Sequence, residues 1–261
     1  MSERTSYEPG TPCWVDLGSP DLDASIEFYS ALFGWEVPEN ENMEQTGGYR
    51  RATKNGVDVV GMMPLMQEGQ PPAWSGYVSV ADAEATAAAV SEAGGSVIAE
   101  PMDVLGLGHM AVFADPSGAV FGIWQPGTFL GAGLVNEPGA LSWNELNTRD
   151  LEGAKSFYGA VFGWGFEEND MGEMGKYTTI TLGGNPVGGI LNMAEREVPD
   201  EIPPHWLAYF AVEDTDATIA QAKERGGNVM MGPVDIPVGR FAILTDPHNA
   251  AFAVIALSEE V

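Results

Sequence analysis

Three features of the 261-residue sequence predict an α+β fold of four strand–helix–three-strand (βαβββ) units in two tandem modules. The two halves align without gaps over their most patterned stretch, each half repeats internally, and each repeat starts a helix on aspartate and ends it on glycine. The run CWVDLGSPDLDASIEFYSALFGWEV from Cys13 lies on SWNELNTRDLEGAKSFYGAVFGWGF from Ser142, with 10 of 25 positions identical. Composition alone gives about one or two matches over such a length. WSGYVSVADAEATAAAVSEAGGSVIAEP from Trp74 matches WLAYFAVEDTDATIAQAKERGGNVMMGP from Trp206, and HMAVFADPSGAVF matches RFAILTDPHNAAF, which sets His109 opposite Arg240.

The elements follow in order. Trp14–Gly18 and Gly76–Val80 alternate as strands do, and each opens a unit. Asp21, Asp82, Asp150 and Asp214 stand at the N-cap of the amphipathic runs that follow, where a carboxylate satisfies free amide groups. Leu22, Ile26, Tyr29 and Phe33 recur at helical spacing before Gly34, while Gly94-Gly95 and Gly226-Gly227 end two further helices. Val57–Met63, Met110–Ala114, Ala119–Gln125, Thr178–Leu182, Val187–Leu191, Phe241–Thr245 and Ala251–Ala256 read as strands. Asp115-Pro116-Ser117-Gly118 and Asp246-Pro247-His248-Asn249 read as hairpin turns. The first module spans 11–127, the second 137–257, and 128–136 is the linker between them.

Composition narrows the function. Eleven Lys and Arg against 38 Asp and Glu give a net charge of −27, so nucleic acid and anionic membrane surfaces are not expected partners. The single cysteine, Cys13, excludes an internal disulfide framework and a cysteine-rich zinc site, and is expected to be inert. No apolar run approaches the ~18 residues of a spanning helix, and MSERTSYEPGTP has no apolar core of a signal peptide, so a cytoplasmic location is expected. The G-x-S-x-G, G-x-x-x-x-G-K-[ST] and strand-linked G-x-G-x-x-G motifs are absent.

The pattern DLxxSxxFYxxxFGW at Asp21–Trp35, its degraded copy at Asp150–Trp164 and the DPxG turn at Asp115–Gly118 resemble the vicinal-oxygen-chelate superfamily of glyoxalases, extradiol dioxygenases and bleomycin- and fosfomycin-resistance proteins. GTPCWVDL, SWNEL, HWLAYFAV and VGRFAILTDP are similar to the two-module actinobacterial members of that group, which include mycobacterial culture-filtrate antigens and proteins labelled hydroxylases. The resemblance covers residues 11–257 and implies curved mixed sheets with helices on their outer faces. Homodimers are common among such relatives, so a homodimer enters as an expectation of the resemblance.

Catalytic members hold a divalent ion between two units, on a His or Gln of each first strand and a Glu of each last strand. Carried over by distance from the capping aspartates, these positions fall on Trp14, Ser75 or Gly76, Gly122 and a residue near Gly61 in module one. In module two they fall on Trp143, Leu207, Ala253 and Gly189. None is a usual ligand, and the three histidines do not fall at equivalent places in the repeat, so no metal and no other cofactor is expected.

Strand parity turns Val15 and Leu17 toward the helix, and Trp14 and Asp16 toward the concave face. Trp143 and Glu145 follow in module two, with Ser75, Tyr77, Ser79 and Trp124, and Leu207 and Tyr209, on the same faces. Such a lining suits a flat organic molecule held by stacking and hydrogen bonds. The residue reading leaves two alternatives at each position: the indoles fill space left by lost ligands, or they bind; the carboxylates pair with backbone amides or Arg240, or they act on a ligand. The expected function is small-molecule binding in a metal-free concavity, with metal-free isomerase, lyase or hydroxylase-type catalysis as the alternative and a metal-dependent glyoxalase or dioxygenase behind it. Asp16, Glu145, His109 and Arg240 are the candidate acid–base and anion-holding groups, and Trp14, Ser75, Tyr77, Trp124, Trp143, His205 and Tyr209 the candidate ligand contacts.

Overall fold

A computed structural model describes residues 3–39, 46–67, 69–172, 175–196 and 198–258. Module one runs β1 (Pro12–Ser19), α1 (Leu22–Phe33), β2 (Arg50–Lys54), β3 (Val57–Pro64), β4 (Ala73–Ser79), α2 (Ala83–Glu92), β5 (Ser96–Asp103), β6 (Gly108–Ala114) and β7 (Val120–Pro126). Module two runs β8 (Leu141–Thr148), α3 (Leu151–Phe162), β9 (Gly165–Asp170), β10 (Lys176–Leu182), β11 (Asn185–Asn192), β12 (His205–Ala211), α4 (Thr215–Glu224), β13 (Asn228–Ile236), β14 (Gly239–Thr245) and β15 (Ala251–Leu257). The units of each half share one sheet. The first sheet is ordered β2-β3-β1-β4-β7-β6-β5 and the second β13-β14-β15-β12-β8-β11-β10-β9. In each, the two opening strands pair antiparallel at the centre (β1 with β4, β8 with β12) and every unit's last strand lies parallel to an opening strand.

All four capping aspartates do what the sequence asks of them. Asp21, Asp82, Asp150 and Asp214 accept from the amides of Ala24, Ala85, Gly153 and Ala217 at 2.9–3.1 Å. Gly34 and Gly163 close α1 and α3 in the left-handed region, at φ 70° each. One unit departs from the expected pattern. After α1 the strand equivalent to β9 is reduced, among the described residues, to a single bridge between Glu36 and Thr53, and residues 40–45 lie outside the described set.

The duplicated FYxxxFGW stretch joins the modules. Tyr29 of α1 donates to Asp246 in the hairpin turn of module two (3.2 Å), and Tyr158 of α3 donates to Asp115 in the turn of module one (3.0 Å). Trp74 and Trp206 donate to those tyrosine hydroxyls at 3.0 and 2.9 Å. Trp35 and Trp164 reach across to the carbonyls of Gly139 and Gly10 at 2.6 and 2.7 Å. The helices are thus sandwiched between the convex faces of the two sheets, so that Phe28, Tyr29 and Phe33 pack with Phe210 and Phe252, and Phe157 and Tyr158 with Phe113 and Phe121. Each aspartate of the DP turns also accepts two backbone amides, which leaves a buried carboxylate fully engaged. The concave faces point away from this shared core, and no helix among the described residues is long and apolar enough to cross a membrane.

Candidate functional site

Alternation along β1 sends Val15 and Leu17 into the helical core and leaves Trp14 and Asp16 on the concave face. Trp14 stands opposite Tyr77 of β4, whose next neighbour on β7 is Gly122; Asp16 stands between Ser75 of β4 and Gly61 of β3. The row repeats in module two, with Trp143 opposite Tyr209, which neighbours Ala253, and Glu145 between Leu207 and Gly189. These are two copies of one trough.

In each copy a tyrosine that sequence reasoning missed completes the arrangement. The Trp14 indole donates to the Tyr49 hydroxyl at 2.8 Å, and the Trp143 indole donates to the Tyr177 hydroxyl at 2.9 Å. A Cβ on Gly61 would overlap the Tyr49 hydroxyl, and one on Gly189 would overlap that of Tyr177. A Cβ on Gly122 would overlap the Tyr77 ring. These glycines are therefore small because tyrosines occupy the space that a side chain would need. A signal existed in the sequence: Tyr49 and Tyr177 are related by the same offset of 128 as Gly61 and Gly189 (177 − 49 and 189 − 61).

The carboxyls lie under these rings. Glu145 is 6% exposed and accepts from Tyr209 at 3.0 Å, from Asn147 at 3.4 Å and from Tyr177. Burial raises its pKa, against the lowering effect of these three donors and the nearby Arg196. Asp16, 4% exposed, accepts from Tyr77 but has no partner on Oδ1, and burial pushes its pKa up to about 7. Module one therefore holds a carboxyl that changes charge near neutrality, and module two a better-satisfied one.

The remaining candidates divide. Ser75 and Trp124 lie on the concave face of module one, Trp124 buried and donating to the Phe129 carbonyl at 2.9 Å. His205 opens β12 opposite Asn147, at one end of the module-two trough; its Nδ1 lies 2.9 Å from the Pro203 carbonyl, and burial lowers its pKa. His109 and Arg240 are not brought to either trough. Met110 and Phe241 take the concave positions on β6 and β14, so alternation turns their preceding neighbours outward. His109 is exposed, and Arg240 pairs with Asp216 of α4 and Asp235 of β13 at 2.8–3.2 Å rather than with either trough carboxyl. Cys13 is buried, and burial pushes its thiol pKa up, so it is no thiolate nucleophile. A cleft of about 240 Å³ lies at the module junction, lined by residues including Lys54, Gly139 and Asp214, none of which belongs to a trough.

A divalent ion does not fit this lining. Indole, hydroxymethyl, leucine, alanine and glycine occupy the positions at which the family pattern would place its donors, and tyrosine rings fill the glycine gaps. Among the described residues no three His, Cys, Asp or Glu side chains gather in one place.

Residues 13–123 and 140–254 match the family described as Glyoxalase/Bleomycin resistance protein/Dioxygenase superfamily. "Putative glyoxylase CFP32" of Mycobacterium tuberculosis is 41% identical over 259 residues, covering 98% of each chain. "Anthracycline biosynthesis protein DnrV" of Streptomyces peucetius is 41% identical over 270 residues, covering 98% of this chain and 96% of that one. Among solved structures, a Mn(II)-bound glyoxalase from Novosphingobium aromaticivorans has a TM-score of 0.64 at 18% identity, covering 95% of this chain and 82% of that one. The 2,3-dioxygenase LapB from Pseudomonas sp. KL28 has a TM-score of 0.64 at 14% identity, covering 94% and 91%. At such identities the structural likeness shows the fold alone. By both its duplicated sequence pattern and its paired curved sheets, the chain belongs to the Glyoxalase/Bleomycin resistance protein/Dioxygenase superfamily.

Proposed function

We propose that this protein binds a small planar organic molecule on a concave sheet face, through indole and tyrosine rings and a buried carboxyl, without chelation by a divalent ion. The single observation that supports the reading is the replacement of donor positions in both modules by a Trp–Tyr–carboxyl–Tyr cluster. A ring surface backed by a buried carboxyl offers apolar contact and a hydrogen-bonding group beside it. A strongly acidic chain disfavours anionic ligands, so the molecule is uncharged or cationic.

Metal-free proton transfer is the second reading, and Asp16 is the observation that favours it. Its unpaired Oδ1 and its pKa of about 7 are those of a general acid–base poised at working pH. His109 and Arg240 take no part in this version, since the trough chemistry is confined to Asp16, Glu145 and the tyrosines. Calorimetric titration of the purified chain with 2-naphthol, an uncharged planar probe, tests the binding reading. Binding unchanged by EDTA supports it; binding abolished by EDTA and restored by Mn²⁺ contradicts it.

A further inference from the structure

The two troughs are copies, yet they are not equally available. Residues 128–136, expected to be a linker, form a strap across the mouth of module one. Gly127 and Phe129 donate their amides to the Leu107 carbonyl at 3.0 and 3.1 Å, Ala132 donates to the Cys13 carbonyl at 2.8 Å, and the Tyr7 hydroxyl donates to the Ala132 carbonyl at 2.7 Å. Pinned in this way, the strap sets the Phe129 ring edge-to-face on Trp14, with centroids 4.9 Å apart and planes at 88°. Trp124 flanks the same ring at 5.8 Å, and the Arg51 guanidinium sits 5.2 Å above it. Module one has thus filled its own trough with an aromatic side chain, and Trp14 is buried.

Module two has the same platform, with Phe241 against Tyr209 at 5.9 Å between centroids and, among the described residues, no ring on the indole of Trp143. Trp143 is only half-buried and makes no ring contact among the described residues. The repeat puts Ile255 where module one has Trp124, Phe241 where it has Met110, and Thr179 where it has Arg51. An indole has become a smaller side chain and a cation has been removed, while Phe241 and Ile243 remain half-buried on the concave face beside Tyr209. The apolar surface is left partly wet, which is costly unless something covers it.

Resting on the binding reading above, we infer that module two is the ligand-binding module, and that its ligand is an uncharged planar aromatic molecule whose ring takes the place over Trp143 that Phe129 takes over Trp14. Phe129 serves as an internal template: edge-to-face contact with an indole, 4.5–7 Å between centroids, is the ordinary geometry for aromatic pairs. The Arg51-to-Thr179 exchange takes from module two the cation that faces the Phe129 ring in module one; Arg196 acts on the Glu145 carboxyl instead.

Protein labelled with 5-fluorotryptophan and titrated with 2-naphthol reads both troughs in one ¹⁹F NMR spectrum, with Trp14 and Trp143 assigned from Trp14→Phe and Trp143→Phe. The expected result is one bound equivalent, a saturable shift of the Trp143 signal and none of Trp14. Ile255→Trp, which restores the indole of module one, should weaken binding at least tenfold, and Phe129→Ala should add a second equivalent that shifts Trp14. Saturable shifts of Trp14 in the unsubstituted chain, or full affinity in Ile255→Trp, would overturn the assignment to module two and leave the binding reading standing. Absence of any saturable shift in both the unsubstituted chain and Phe129→Ala would overturn the binding reading itself. Should Phe129→Ala unfold, the unsubstituted chain and Ile255→Trp still decide the assignment.

Discussion

Replacing Asp16 by Asn removes one ionisable group from a dry site and changes little else in size. The carboxyl has a pKa of about 7 in the fold against an ordinary 3.8. Ionising it there is therefore costlier than in the unfolded chain by about 4 kcal/mol, at ~1.4 kcal/mol for each tenfold change. Because the fold holds this proton more tightly than the unfolded chain does, the stability it contributes is fully present below pH 3.8. It is lost as pH rises through about 7. Asn, which cannot ionise, feels none of this. Urea unfolding of both proteins across pH 5–9 should show the gap in stability rising by ~2.5–3 kcal/mol in favour of Asp16→Asn, most of it gained between pH 5 and 7. Equal pH dependence of the two proteins would refute the claim that Asp16 lies dry and half-satisfied beneath Tyr77.

Tyr177→Phe strands the Trp143 indole N–H and takes a donor from Glu145, so unfolding at pH 8 should show a loss of ~1–3 kcal/mol, and the Glu145 pKa, read by ¹³C NMR, should move further up. Gly122→Ala drives a methyl into the Tyr77 ring and should cost ~1–3 kcal/mol, and far less when introduced into Tyr77→Ala than into the unsubstituted chain; equal costs in the two backgrounds would mean that ring contact is not the cause. Tyr29→Phe and Tyr158→Phe each remove the hydroxyl that links one module to the other's turn aspartate, at ~1.5–3 kcal/mol apiece, and calorimetry should register both as a lower Tm.

The parts of the fold that the sequence made legible are those with steep local physics. Aspartate N-caps, glycine C-caps and the duplicated helix pattern each have one cheap solution, and Val15 and Leu17 face the helix because they form the apolar side of β1 opposite Asp16. Edge strands β5, β9 and β13 are less legible, since neither face of any of them is fully buried and the apolar signal is weak. At the site, Trp14, Asp16, Trp143 and Glu145 follow from parity alone. His109 and Arg240 did not, because they stand at strand starts, where being one residue out in phase changes the face; Arg240 then found two aspartates outside the trough. Tyr49 and Tyr177 escaped because their role depends on glycines two strands' worth of sequence away. Phe129 escaped because a Gly-rich run reads as a tether whether or not it packs.

Manganese titration monitored by electron paramagnetic resonance bears most directly on the idea that aromatic and carboxyl groups have taken over the ion's place. Free aquo-Mn²⁺ gives a sharp six-line signal that a protein site broadens away. The six lines should grow linearly from the first addition, with no stoichiometric loss in the unsubstituted chain. One equivalent silenced by the protein, and released again by Asp16→Asn or Glu145→Gln, would contradict the account.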